Sequence, residues 1–492
     1  MLERLPADYF ADGDRLAVPD RGAVENRQRD LATLINEEVI DRTNARETTA
    51  ELNLWVDPVN GSDSADGQSE SRPIRTCARL AEILPMFIKH RTTVNFKEGT
   101  LDPLTLEGNV VFTSDKSTDP MFKLIGTTGK KTLTTGVNEG VASGGGRWYI
   151  DKPTGEPDWT ASEMKGELLV LTGGTLAGNT YLIRDNTTTR IEIMRTGSFG
   201  TPPDNTTEFE VHDRKTLFDA NGDPGRFGFG PLELIGLQTT DRSFNNEDIS
   251  IQNFHMDGGG FGGFGWALIL DSCLADVAVR NMLFTNKALP QSSRTNYFRM
   301  SNSAIFGPNT GFAFWSLSAA ESIALFRNIF YGDVLDLSLS RVVSASIFDN
   351  EFRNEEIRYT NCGQCSLTGS IIDGVTMRFE YLMDLFLFEN VIRNIPNPMR
   401  IEHVKHAQSW ADDIGSSVSD AIKVVKSFLR VTDIIGTGNG GYGIRLENGA
   451  FLETSGTNTL TGTSGDIKPG ALGATLWGGL PVTDPTQLVR AY

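Results

Sequence analysis

Between about residues 225 and 400 a short unit returns, apolar–x–Asn–x–apolar, and its spacing is what most restricts the architecture of this chain. It reads IQNFH at Asn253, VRNML at Asn281, FRNIF at Asn328, FDNEF at Asn350 and FENVI at Asn390. Asn253 to Asn281 is 28 residues and Asn328 to Asn350 is 22, with SNSAIF (Asn302) and IIDGV (Asp373) filling the two longer gaps. The period therefore lies in the low twenties, with insertions. A unit that short cannot bury its own apolar face, but stacked copies can, which is the logic of a solenoid. The strands are short and rich in β-branched and aromatic residues, and the LxxLxLxxN spacing of leucine-rich repeats is absent. The fold predicted is all-β, a right-handed parallel β-helix with a short N-terminal helical segment and a small inserted antiparallel β-module. Asparagine suits the corners between strands, because it tolerates the left-handed backbone region and its amides can bond from rung to rung.

The repeat does not cover the whole chain. Residues 1–52 contain VENRQRDLATLINEEVIDRTNARE, a helical pattern whose narrow stripe of Leu31, Leu34, Ile35 and Val39 is too little for a core. That helix is expected to pack on the body or to serve as an attachment segment. Residues 53–145 read as a cap and first rungs. LWVDPVNGSDSADG is strand and turn, RPIRTCARLAEILP is a short helix stopped by Pro85, and TTVNFKEGT is strand again. Residues 146–215 alternate short strands with Gly and Asn turns, as an inserted module would. The solenoid body is placed at 216–465 and a closing segment at 466–492.

The formal charge is −18, from 45 Lys and Arg against 63 Asp and Glu. Nucleic acids and anionic membranes demand the opposite sign, so neither is expected as a partner. The four cysteines, Cys77, Cys273, Cys362 and Cys365, are too few for a disulfide framework at this length. The start, MLERLPADYFADGDRL, lacks the charged and apolar regions of a signal peptide, and no run of about 18 apolar residues is available to span a bilayer. A soluble protein made in the cytoplasm is expected.

Three stretches carry a resemblance. WVDPVNGSDSADGQSESRPIRT with the helix after it resembles the opening of phage and bacterial pectate-lyase-like β-helix proteins. The 146–215 stretch, with Gly166, Leu168, Val170, Gly173, Gly178, Ile183 and Asn186 as landmarks, looks like an insert of tail-associated β-helix chains. GTGNGGYGIRLENGAFLET and GDIKPGALG are similar to the last rungs and closing segment of phage tailspike and head-spike proteins. This resemblance implies a homotrimeric virion protein whose N-terminal segment attaches to other virion proteins and whose body meets a host surface glycan. Such spikes occur as adhesins and as polysaccharide hydrolases or lyases, so binding and depolymerisation both remain open.

Hydrolysis of a glycosidic bond needs two carboxyl groups flanking it, and neighbouring rungs stack roughly 4.8 Å apart, so the pair need not be close in sequence. The densest acidic stretch is FYGDVLDLSLSRVVSASIFDNEFRNEEIRY. Its catalytic candidates are Asp349, Glu351, Asp333 and Glu355, with Asp336, Glu356, Asp373, Glu380 and Asp384 nearby. Chance clustering among 63 acidic residues is the bland alternative. Tyr331, Tyr359, Trp266 and Arg378 are the glycan-binding candidates. For a lyase, Arg353, Arg358 or Arg378 would act as base or uronate partner. The glycine-rich MDGGGFGGFGW (256–266) reads as an excursion between rungs or a sugar-contacting lip. No cofactor or metal is expected. Cys362-Gly-Gln-Cys365 is a lone CxxC without further ligands, His403 and His406 have no completing partner, and the Asp57, Asp63, Asp66 turn lacks a calcium-loop register.

Overall fold

The computed structural model describes residues 47–111, 120–137, 148–193 apart from 156 and 175, 207–219, 231–239, 248–258, 265–318 apart from 274, 287 and 308–312, 320, 322–468 and 475–478. The proposed N-terminal helix falls outside them. The chain is nearly all β, a parallel β-solenoid of about 13 turns. One wall is a 14-stranded parallel sheet running from Leu52–Val56 to Thr475–Gly478, a 22-stranded sheet forms most of the rest, and a three-stranded parallel sheet of Phe87–Ile88, Val110–Val111 and Gln238–Thr239 completes the turns near the N-terminal end. The parallel pairing thus extends into the segment after 466, where Thr475–Gly478 pairs with Phe451–Ser455.

One turn shows how sequence makes the coil. Gln364–Thr368, Ile371–Asp373 and Thr376–Glu380 are three strands separated by left-handed residues at Gly369, Gly374 and Tyr381. Within strands, burial alternates, as in Asp384–Phe388 where Leu385 and Leu387 point inward and Phe386 outward. The interior is one continuous apolar column in which like residues stack, Phe330 on Phe352 at 4.8 Å for example.

The asparagines play two different parts. Asn253, Asn281 and Asn302 sit at φ 68°, 53° and 48°, in the left-handed corner expected of them, and Asn281 Nδ2 donates to Asn253 Oδ1 at 3.1 Å. In later turns that corner belongs to the preceding residue, Arg327, Asp349 or Glu389. Asn328, Asn350 and Asn390 lie one step past it, buried, and their side-chain oxygens accept the backbone N–H of the rung before. Ser303 N donates to Asn328 (3.0 Å), Asn328 N to Asn350 (2.8 Å), Asn350 N to Ser370 Oγ (3.3 Å), Ser370 N to Asn390 (3.0 Å) and Asn390 N to Asp412 (2.8 Å). The coil leaves one inward N–H per turn that no strand can satisfy, and this polar ladder answers it. For these asparagines the amide matters, not the tolerance of positive φ.

The inserted module is a six-stranded antiparallel sheet that takes in Thr128–Val137 as well as strands between Trp148 and Arg214. It has its own small core around Ile150, Leu169, Ile183 and Val211. A second apolar cluster, Leu168 and Leu182 against Leu283, Ala304 and Ile329, fastens it to the solenoid. Arg214 is buried in that seam and donates to the Gly166 and Asn281 carbonyls, and burial brings its guanidinium down to about 10.

At the N-terminal end the VDPVNG turn is an Asx turn, with Asp57 Oδ1 accepting from Val59 N and Asn60 N. Asp63 accepts from Arg75 N, Thr76 N and Thr76 Oγ1, and Thr76 caps the helix Cys77–Ile83. The carboxylates of this turn are spent on hydrogen bonds within it.

Candidate functional site

Among its described residues, the acidic stretch singled out above divides between a buried seam (Glu351), a corner (Asp349) and the outward wall (Glu356). Glu351 is completely buried, sealed at the seam by the module. It takes a hydrogen bond from Tyr331 Oη at 2.8 Å, a charge-assisted one from Arg184 Nε, and an ion pair with Arg353 at 3.2 Å. Arg184 also reaches Glu192 at 2.5 Å. Burial pulls the Arg184 guanidinium down, but Glu351 more than offsets it, so the group is held above its ordinary value. Burial, then Glu351, drives the Tyr331 hydroxyl up. The ammonium of Lys165 lies 3.4 Å from the centre of the Tyr331 ring, and burial lowers its pKa. Tyr331 and Glu351 therefore hold the module on the coil.

Tyr359 is fully buried in the solenoid core, edge-on to Phe379 at 5.2 Å, and this withdraws it as a glycan platform. The strand alternation places it inward, while its neighbours Arg358 and Thr360 point out. Asp349 is a half-buried corner residue at φ 53°. The side chains of Asp333, Asp336, Glu355 and Trp266 fall outside the described residues, although Trp266 belongs to the strand Gly265–Asp271. Much of the 256–266 loop falls outside them too. Cys362 and Cys365 are both buried thiols just after the left-handed Asn361. His403 is a corner residue stacked on Tyr381, whereas His406 lies on the 14-stranded wall 3.1 Å from Asp384.

Arg378 belongs to a feature that inspection of the acidic residues missed. On one wall of the 22-stranded sheet Arg358, Arg378, Arg400, Lys423 and Arg445 stand in register on successive turns. Each faces solvent and is paired with a carboxylate: Arg358 with Glu380 (2.7 Å), Arg378 with Glu356 (2.6 Å), Arg400 with Glu402, Lys423 with Glu447 (3.0 Å) and Arg445 with Glu447 (2.7 Å) and Asp420 (3.5 Å). One step past Glu380 and Glu402, Tyr381 and His403 stack at 4.8 Å on the corner beside the ladder. A guanidinium has five donors, so a single carboxylate partner leaves it able to bind a second anion. The spacing signals it: the steps of 20, 22, 23 and 22 residues match the rung period, and Arg-apolar-Glu recurs at 378–380, 400–402 and 445–447.

A separate cleft of about 270 Å³ opens where Leu232–Ile235 pairs with Leu268–Asp271. Glu233, Asp271, Gln291 and Arg294 line it with Ile235 and Ile269. Asp271 is held by Ser293 Oγ at 2.6 Å and by Arg294 at 3.2 Å, and Glu233 accepts from Thr105 Oγ1 at 3.3 Å. Glu233 and Asp271, from adjacent rungs, thus line one concavity, with Glu233 almost fully buried.

No protein-family model matches the sequence, and no curated protein matches it either. Solved structures to which the chain is similar include XylC with xylose (8% identity, covering 85% of this chain and 86% of that one, TM-score 0.28). Another is the GH136 lacto-N-biosidase of Eubacterium ramulus (9%, 93% and 72%, TM-score 0.27). A third is the tailspike gp49 of Acinetobacter baumannii bacteriophage Fri1, a capsular polysaccharide depolymerase (9%, 89% and 65%, TM-score 0.23). Likeness at these values carries nothing about ligand or activity, and this chain is placed as a parallel β-solenoid by its own strand pairing.

Proposed function

We propose that this chain is a virion spike, or receptor-binding protein, that lays one wall of its β-helix along an acidic polysaccharide of a host cell surface. The observation that carries this reading is the register of five cations on successive turns, in a chain whose overall charge is −18. A linear polyanion running along the solenoid axis meets a cation at each rung, spaced roughly 4.8 Å apart. The interleaved carboxylates accept hydrogen bonds from sugar hydroxyls, and the Tyr381–His403 stack offers an apolar face beside them. As a homotrimer it would present three such walls, and the segment before residue 52 would join it to other virion proteins.

The test is affinity for a panel of bacterial capsular polysaccharides and lipopolysaccharides. Wild-type protein binds an acidic member of the panel, and the Arg378→Glu/Arg400→Glu pair weakens that binding by roughly a hundredfold or more, about 3 kcal/mol. Affinity falls as salt rises, less steeply in the variant. Unaltered affinity in the variant removes the ladder from the site.

A second reading, that the spike also cuts its glycan, is favoured by the Glu233–Asp271 cleft, since a hydrolase uses two carboxyl groups across the scissile bond. New reducing ends in the same incubation separate cutting from adhesion. Attachment through the N-terminal segment predicts that deleting residues 1–50 leaves glycan affinity intact and abolishes incorporation into particles. Loss of folding on that deletion makes the segment part of the body.

A further inference from the structure

The 14-stranded wall carries a second surface, distinct from the ladder. At the outer end of its strands Phe388 and Trp410 are in register, edge to face at 5.0 Å. Phe386, two residues before Phe388, also points outward, and around the corner past Glu389, Ala411 and Asp433 come Val391 and Ile435. Phe386 is 38% exposed, Val391 37%, Trp410 46% and Ile435 47%, values high for side chains of this size. Earlier in the same column Phe326 and Phe348 stack at 5.5 Å, with Thr368 between the two aromatic pairs.

Leaving these apolar groups in water is unfavourable, so their exposure invites an occupant. The subunit contacts of the proposed trimer are not placed on this patch, because Asp413 stands in register between Val391 and Ile435 and breaks its apolar face. A stable protein interface takes about 800 Å² and some 20–30 residues from each partner, whereas this patch is a few side chains wide. Its surroundings are polar: Gln408 and Arg430 follow Phe386 in register, and Asp384 is bonded to His406 at 3.1 Å. Aromatic rings a rung apart, flanked by amide, carboxylate and guanidinium groups, match the chemistry of a pyranose chain. Such a chain has apolar C–H faces and a rim of hydroxyls.

We propose that Phe386, Phe388 and Trp410, with Val391 and Ile435 around the corner, form a glycan subsite that stacks on the uncharged sugar rings of the polysaccharide. The inference rests on the polysaccharide reading above and adds to it a site whose contribution does not depend on salt. An acidic surface polysaccharide with neutral residues in its repeat would engage the ladder through its acid groups and this wall through its rings.

The experiment uses the full-length chain and the panel of capsular polysaccharides and lipopolysaccharides, with Trp410→Ala and Phe386→Ser set beside the Arg378→Glu/Arg400→Glu pair. Both aromatic positions are exposed, and a thermal melt verifies that the variants fold. The expected result is binding weakened roughly tenfold by each aromatic change, with the salt dependence kept. Full affinity in both aromatic variants, with affinity lost in the ladder variant, overturns the subsite and leaves the function standing. No binding of wild-type protein to any member of the panel overturns the function and the subsite together. A change in sedimentation from oligomer to monomer in Trp410→Ala assigns the patch to a second copy and also overturns the proposal.

Discussion

Glu351→Leu lowers the unfolding free energy by about 3–5 kcal/mol, read as a fall in the urea midpoint at constant slope. The substitution removes the acceptor of Arg184 and of the Tyr331 hydroxyl, both of which are enclosed at the seam. Arg184 is left with Glu192 alone, so a guanidinium that burial already disfavours loses most of its compensation. Arg184→Leu is expected to cost less, since Glu351 keeps the Tyr331 hydroxyl and Arg353 as partners. The double substitution costs less than the sum of the two single ones, because the buried pair is then removed together and neither of its charges is left enclosed without the other. Additive effects of the two changes would mean that the pair does not hold the seam. A wild-type melt for Glu351→Leu, with loss of glycan cleavage, would return Glu351 to the catalytic role that its acidic surroundings suggest from sequence.

That ambiguity marks where the sequence stops being informative. The coil itself was legible, because a repeat of apolar units with a period in the low twenties follows from stacking one rung on the next. Tyr359 was legible in principle: in EIRYT the apolar Ile357 fixes the inward parity, and Tyr359 shares it. The basic ladder was legible too, as Arg-apolar-Glu at rung spacing, but only to a reading that followed cations as well as carboxylates. The Arg184–Glu351 pair was not, since its partners are 167 residues apart and joined only by how an inserted module folds back on the coil. The exposed aromatic wall was hidden for a related reason. Phe386 and Phe388 sit in the apolar run LFLF, and which members face out depends on the corner residue after the strand, not on their own hydropathy.

The polar ladder allows a sharper test, because its register places an acid where an amide would serve. Asp412 occupies the position held by Asn328, Asn350 and Asn390 in earlier turns, and it accepts from Asn390 N (2.8 Å), Asn390 Nδ2 (2.9 Å) and Ser409 Oγ (2.6 Å). Burial outweighs these bonds and raises its carboxyl to about 6, against about 3.9 in an unfolded chain. The folded state therefore binds the proton more tightly than the unfolded one. The group's favourable contribution is fully present below about pH 4 and is lost as the pH rises through 6, a difference of about 3 kcal/mol. Asp412→Asn supplies the same acceptor without an ionisable group, and its new amide can donate to Ser409 Oγ. It is expected to stabilise the protein by about 2–3 kcal/mol at pH 7.5 and to remove this group's part of the slope between pH 4 and 6. Urea unfolding of both proteins across that range measures it. A variant less stable than wild type at pH 7.5, with the slope unchanged, would show that Asp412 is ionised at no cost, and the ladder would then need its charge.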